Sequence, residues 1–375
     1  MANISQLIAP SGVLTAADAF RYESVSGATQ ALDVGSSDFF NAGTLTSDVT
    51  VSFSNVPTEA RWSYSFVGDF LSTYDIENAS YDSVSFSVSS QDTSLSSVFF
   101  KPDGTKMYVV GNTNDTVFQY SLSTAWDVST ASYDSVSFDV SSQDTSPYSF
   151  FFKPDGTKMY VAGRSSTKVH QYSLSTAWAL STASYDSVSF DVSSQDTFTY
   201  GLFFKPDGTK MYFAGLGADL VYQYSLSTAW DLSTASYDSV SFDVSSQETG
   251  PTGLFFKDDG TKMYVIGFGN DSVFQYSLST AWDVSTASYD SVSFSVASQE
   301  TNTRGLSFKD DGTKMYVAGL GGTVYQYDTA PTPTLTLPAS VQNSPSEAFT
   351  TERVTYTFFT DDGGTNVHLI SEEIE

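Results

Sequence analysis

The stretch Lys-Pro-Asp-Gly-Thr-Lys-Met-Tyr at 101–108 returns at 153–160, 205–212, 257–264 and 309–316, always 52 residues on, with Pro replaced by Asp in the last two copies. A fixed period of that length on strand-like sequence marks a repeat architecture, in which each unit buries its apolar face only against its neighbours. Four strands can be read in each unit. Strand a is an apolar run such as Leu202-Phe203-Phe204, followed by a Pro-Asp-Gly-Thr turn whose Asp-Gly pair tolerates the positive φ of a tight hairpin. Strand b is Met211–Ala214, strand c Val221–Tyr224 and strand d Val240–Val244. Strands a and b are apolar on both faces, as in sheets covered on both sides, whereas d alternates like a half-exposed strand.

Four antiparallel strands per repeat predict propeller blades. There are five a–b–c sets and five d strands, and the first d strand, Val84 to Val88, precedes the first a strand. It is therefore expected to complete the last blade, whose a, b and c strands lie near 305–327, closing a five-bladed β-propeller without exposed edges. The alternative, an open solenoid-like stack, would call for distinct capping units. Connectors such as SLSTAW and STASYDS recur around Trp126, Trp178, Trp230 and Trp282, and Tyr74 takes the tryptophan's place at the start of the array.

Outside the repeats lie an N-terminal arm or linker (1–20), and two β-rich flanks, 21–68 and 328–375, around the array at 69–327. Their strand-like runs include Val49–Phe53, Trp62–Phe66, Thr334–Leu337, Val354–Phe359 and Val367–Ile370, with an Asp361–Gly364 turn. The layout predicts an all-β chain in which the propeller is inserted into one small, β-sandwich-like domain, an arrangement that chain ends emerging side by side make tolerable.

Composition narrows the function classes. The chain has no cysteine, so disulfides, thiol chemistry and thiolate metal sites are excluded. With 43 acidic against 16 basic residues its formal charge is −27, which argues against a phosphate-binding surface and hence against nucleic acid. No apolar run reaches a membrane span, so no membrane insertion is expected. The first twenty residues lack the basic region and long apolar stretch of a secretory signal, so an extracellular destination implies another route, such as a released particle.

The flanks carry a resemblance. Residues 21–67, with ALDVGSSDFF, TVSFSNVP and WSYSF, and residues 334–371, with TLTLPASV and VTYTFFTDDGGTNVHLI, resemble the small β domain of tailed-phage fibre and appendage proteins. In that family a Phe-Ser-Asn-x-Pro strand end and a Trp/Leu-Pro-Ala-Ser-Val segment lie close together, and the chain finishes with a Phe-Phe-Thr-x-Asp-Gly-Gly strand. The repeat is similar to propeller-type repeats of marine phage and environmental proteins. The resemblance implies a tail fibre or capsid fibre/decoration protein on the virion surface, held to other virion proteins through its flanks, and a homo-oligomer, with a trimer the expected form.

Strand order sorts the loops onto two faces: d–a with b–c, and a–b with c–d. The second face is nearly identical in every copy. The first diverges, with DTSLSSV at 92–98 becoming DTSPYSF, DTFTYGL, ETGPTGL and ETNTRGL, and GNTNDT at 111–116 becoming GRSSTK, GLGADL, GFGNDS and GLGGT. Both flanks join the array at a c–d position, so the variable loops are expected to point away from them, as on a pedestal. Tyr148, Phe198, Tyr200 and Phe268 would supply stacking platforms there, Arg164, Lys168, His170 and Arg304 cations, and Asn114 and Asn270 polar contacts. Such a face suits a host-surface glycan or protein.

No catalytic constellation stands out. His170 begins a strand c, His368 lies in the last strand, and neither has metal-ligand spacing or a nucleophile signature. The repeated Gln-Asp/Glu-Thr at 91–93, 143–145, 195–197, 247–249 and 299–301 offers oxygens to a hard cation such as calcium, but turn capping by Asp and Thr is the better explanation. The expectation is a chain that is not an enzyme, with no cofactor and no metal. The competing readings are a glycan-active enzyme with the propeller as catalytic domain, and a purely architectural particle protein.

Overall fold

The structure is a computed structural model. It describes residues 76–330 without interruption, together with Tyr74 and segments between 22 and 68 and between 335 and 374. The arm at 1–20 and the Asp361–Gly364 turn lie outside the described residues. The chain forms two compact units, residues 73–330 and residues 1–72 with 331–375.

The first unit is all-β, a propeller-like set of four-stranded antiparallel sheets. Sheet 1 comprises strand a Leu95–Phe100, b Lys106–Gly111, c Thr116–Leu122 and d Ala131–Asp139. Sheets 2, 3 and 4 repeat this pattern from Pro147, Thr199 and Pro251. Sheet 5 has a Thr303–Phe308, b Lys314–Gly319 and c Thr323–Asp328, and its fourth strand is Ser80–Ser87 from the start of the array, paired with Gln326 opposite Val84. Strands a and b are buried nearly throughout, and d alternates between half-buried and exposed.

The period-52 residues become contacts between neighbouring sheets. The strand b hydroxyls of Tyr108, Tyr160 and Tyr212 donate to the carbonyls of Trp178, Trp230 and Trp282 in the next sheet at 2.6–2.7 Å. Tyr264 donates to the carbonyl of Tyr74 and Tyr316 to that of Trp126, so the series runs from the last sheet to the first. Each d strand carries a bulge, with Ser135 at φ 57° in sheet 1, that sets Asp134 against Lys106 and Gln119. The Gln119 side-chain oxygen in turn accepts from the Leu180 N–H of sheet 2. Gln171, Gln223 and Gln326 accept equivalently from Leu232, Val284 and Val128.

The a–b turn shows why its glycine is required. Gly208 sits at φ +74° beneath the Trp230 indole, and a Cβ there would lie 2.4 Å from the ring. Trp230 is itself at φ 63°, with its N–H bonded to the Gly208 carbonyl. A short 3-10 turn, Leu232–Thr234, then leads into strand d.

The second unit interleaves both flanks. One sheet contains Tyr22–Ser24, Phe39–Leu45, Ala60–Gly68, Arg353–Thr360, Val367–Ile374 and Val341–Gln342 in that order; the other contains Thr29–Asp33, Val49–Ser54 and Leu335–Thr336. Arg353–Thr360 pairs antiparallel with Ala60–Gly68, joining N-terminal to C-terminal sequence. The two sheets meet at Phe53, whose ring packs edge-on against Trp62 at 5.0 Å and lies 5.4 Å from Phe358. Several pairings are parallel, including Phe39–Leu45 with Ala60–Gly68, which alternation of apolar residues alone does not reveal.

Candidate functional site

The d–a and b–c loops of each repeat are tied together by one carboxylate. Asp144 accepts from the N–H groups of Ser146 and Ser166, at 2.7 and 2.8 Å, and from the Ser165 hydroxyl at 2.6 Å. Asp92, Asp196, Glu248 and Glu300 do the same for their own loops. All five are buried. A hard cation needs free carboxylate lone pairs, whereas these face backbone donors, so the repeated Gln-Asp/Glu-Thr acts in loop capping. The carboxylate lies on the glycine that ends strand b: a Cβ on Gly111 would be 2.2 Å from Asp92 Cγ.

Between these loops the five a strands converge. Gly201, Gly253 and Gly305 allow close approach, since a Cβ would fall 2.8 Å from Leu254 N, 2.6 Å from the Ile266 side chain and 2.8 Å from Ser97 Cα respectively. The a strands line one cavity of about 40 Å³, with Ser97, Ser149, Thr252 and Ser307 among the lining residues and no carboxylate. Phe99, Phe151, Phe203 and Phe255 lie in successive edge-to-face contact across it, with centroids 5.2–5.4 Å apart. That geometry suits the aromatic quadrupole and fills the space, leaving room for a few waters.

At the loop end of these strands stand Ser96, Tyr148, Tyr200, Thr252 and Arg304, one from each repeat at the same position of the period. The Tyr148 and Tyr200 rings are 4.3 Å apart, and the Tyr148 hydroxyl accepts from Asn112 Nδ2 at 3.1 Å. Burial acts to raise Tyr148, but hydrogen bonds from Tyr200, Asn112 and Ser146, with the charge of Arg304, carry it below the ordinary phenol range. Tyr200 is pushed up to about 12, by burial first and then by Tyr148. Burial lowers Arg304, opposed by Tyr200, Tyr148, Glu300 and Asp271, and a guanidinium stays protonated throughout the working range.

Arg304 is the unusual member. Its Cζ lies 4.5 Å from the Phe268 ring centroid, yet Nε and Nη1 are buried without a hydrogen-bond partner in the protein. Leaving one such donor unfilled costs about 1–3 kcal/mol. The Ser96 hydroxyl is likewise buried and unfilled.

The other residues singled out in the sequence divide. Phe198 and Arg164 form a second stacked pair, with Cζ 4.5 Å from the ring centroid, and Phe268 is 36% exposed. Asn114 and Asn270 are exposed, but their Nδ2 atoms donate to the Gln91 and Gln247 carbonyls at 2.6 and 2.5 Å, so they staple loops. Lys168 and His170 lie on a strand c, Lys168 opposite Asp191, away from the converging a strands. His170 is 5% exposed, with Nε2 3.0 Å from the Ser166 hydroxyl, and burial lowers its pKa. Ser96, Asn112 and Thr252 were not among the residues expected. Their signal was divergence at one strand position across otherwise uniform repeats.

No family model matches the chain, and no curated protein sequence does. Similar solved structures include a functionally unknown protein from Desulfotomaculum acetoxidans DSM 771, at 11% identity, covering 74% of this chain and 69% of that one, with a TM-score of 0.38. A proposed 6-phosphogluconolactonase from Bacteroides fragilis NCTC 9343 is 13% identical over 75% of this chain and 71% of that one, TM-score 0.39. Another, from Bacteroides uniformis ATCC 8492, is 12% identical with the same coverage, TM-score 0.38. The expectation that the chain is not an enzyme is corrected: two of the similar solved structures are described as 6-phosphogluconolactonases. At these identities no substrate or reaction passes from them to this chain.

Proposed function

We propose that this is a virion appendage protein, of a tail fibre or a capsid fibre/decoration, in which a five-bladed propeller displays its divergent loop face to a host-surface glycan or protein. The flanking unit, by its resemblance to phage-fibre domains, holds the chain to other virion proteins and to sister copies, with a trimer as the oligomer. Several weak contacts presented together then gain by avidity. The ring of five blades is supported by the tyrosine hydrogen bonds that continue from the last sheet to the first.

One observation carries the binding part. Where the a strands converge, a scaffold that is otherwise copied five times presents five positions filled by Ser, Tyr, Tyr, Thr and Arg, with polar donors unfilled. Packing against equivalent neighbours would favour equivalent residues, whereas recognition of one asymmetric ligand favours this mixture. Antibody labelling of intact particles in the electron microscope is expected to mark an outer surface, and fluorescent full-length chain to coat host cells. A chain buried within the particle, or one that coats no cell, would overturn the reading.

A further inference from the structure

We propose that Arg304 anchors a saccharide site at the mouth of the converging strands, taking the carboxylate of an acidic sugar residue. The inference rests on the display reading above and names the ligand class for it.

Charge sets Arg304 apart. Most lysines of the repeated turns are already paired: Lys101, Lys153, Lys205, Lys257 and Lys309 with the turn aspartates, and Lys106, Lys158, Lys210, Lys262 and Lys314 with strand d aspartates. Arg304 has no ion pair among the described residues. Nε and Nη1 lie on different edges of the guanidinium, so each edge offers an unfilled donor. A carboxylate's two oxygens would pair with one of these donors together with Nη2, which both edges share. The nearest acid of its own loop, Glu300, is occupied by the Asn302 and Gly321 N–H groups.

The surroundings of Arg304 suit a sugar. Tyr148 and Tyr200 pack together within electrostatic reach of Arg304, the Phe268 ring beneath Arg304 is 36% exposed, and the Ser96 hydroxyl is unfilled. Aromatic faces pack against the C–H face of a pyranose while hydroxyls and amides take its ring substituents. A polyanion fits poorly, because few cations, Arg304 and Arg164 among them, act at the mouth of a chain of net charge −27. The cavity beneath, about 40 Å³, is too small for a sugar ring, so the saccharide rests on the mouth.

Calorimetric titration of the full-length chain tests this with methyl glucuronide, galacturonate and N-acetylneuraminate against methyl glucoside and galactose, with sodium sulfate and hexaglutamate as further probes. Arg304→Thr copies Thr252, the residue that another repeat already accommodates at this position. At least one acidic sugar should bind about tenfold or more tighter than the neutral ones, and Arg304→Thr should erase that preference. The variant should melt no lower than the parent, since it removes an unfilled buried cation. Should it misfold, Arg304→Lys, which keeps charge without the fork, should still weaken acidic-sugar binding. Equal binding of acidic and neutral sugars, or a preference that survives in Arg304→Thr, would refute the site. Sulfate or hexaglutamate binding as tightly as every sugar would refute its saccharide character. Binding to whole cells that ignores Arg304 would end this inference alone, whereas absence of cell binding would end the display reading.

Discussion

The two ends of the repeat array are built from the same five copies yet behave in opposite ways. At the end formed by the a–b and c–d connections, each repeat makes the same contacts: a glycine at positive φ under an aromatic ring, a lysine on the turn aspartate, and a tyrosine hydroxyl on the next sheet's carbonyl. At the end formed by the d–a and b–c loops, one device is kept, the capping carboxylate, and nearly everything beyond it differs. The kept carboxylate fixes the path of the loop backbone, which frees the side chains at the mouth to vary without loss of the sheet register beneath. Uniform contacts and varied side chains are thereby placed at different ends of each sheet.

The sharpest way to break that division is at the uniform end. Gly208→Ala forces a Cβ into the Trp230 indole and a non-glycine residue to φ +74°, and should cost roughly 3 kcal/mol. Urea denaturation would show it, and a loss under about 1 kcal/mol would mean that the turn is not the rigid element described.

Asp144→Ala, at the divergent end, strips the acceptor from several loop donors and should cost about 2 kcal/mol by the same measurement. Hydrogen exchange should then rise in 144–146 and 164–166 while strands a and b stay protected. Exchange spreading through the whole sheet would show that the ends are not separable.

A smaller effect is expected from the two repeats whose turn proline is an aspartate. The Asp310 carboxyl is raised to about 6, chiefly by burial and then by Asp258 and Asp311. The folded chain therefore holds a proton that the unfolded chain has released. The stability this contributes is present below the ordinary aspartate pKa and is lost as pH rises through about 6. Part of the carboxylate reaches water, which reduces the effect. Asp310→Pro, copying Pro102, Pro154 and Pro206, should flatten this slope and add about 0.5 kcal/mol at neutral pH. An unchanged slope in urea midpoints between pH 4 and 7 would contradict it. The turn aspartates act in the other direction. Burial opposes ionisation of Asp103, Asp155 and Asp259, but hydrogen bonds from lysine and threonine hold them near 2. Their contribution is lost only as pH falls from the ordinary aspartate value toward 2.

Much of the frame was legible because its signals are local. Asp-Gly at 207–208 marks a hairpin, the runs at 202–204 and 211–214 are apolar on both faces, and Tyr74 stands where other repeats have tryptophan. The mouth was only half legible. Tyr148, Tyr200 and Arg304 stood out as aromatic or cationic, whereas Ser96 and Thr252 look like ordinary strand residues until five positions 52 apart converge. Asn114 and Asn270 misled because a short amide in a variable loop looks the same whether it faces a ligand or staples a carbonyl. His170 misled because a strand c position near a loop can still be buried. The parallel pairings of the flanking unit depend on distant segments, which alternation does not encode.

The separation of holding from binding is tested most directly by one variant of the full-length chain, Tyr148→Ser with Tyr200→Ser and Arg304→Thr, which fills the mouth with residues already used at the equivalent positions Ser96 and Thr252. Binding to immobilised host-surface polysaccharide and the thermal midpoint should be measured side by side. The account predicts that binding is lost while the array still melts in one cooperative transition, at a midpoint lowered by the burial the two tyrosines give up, roughly 3–5 kcal/mol for each aromatic side chain at most. Binding that survives the exchange, or a sheet array that unfolds with it, would contradict the account.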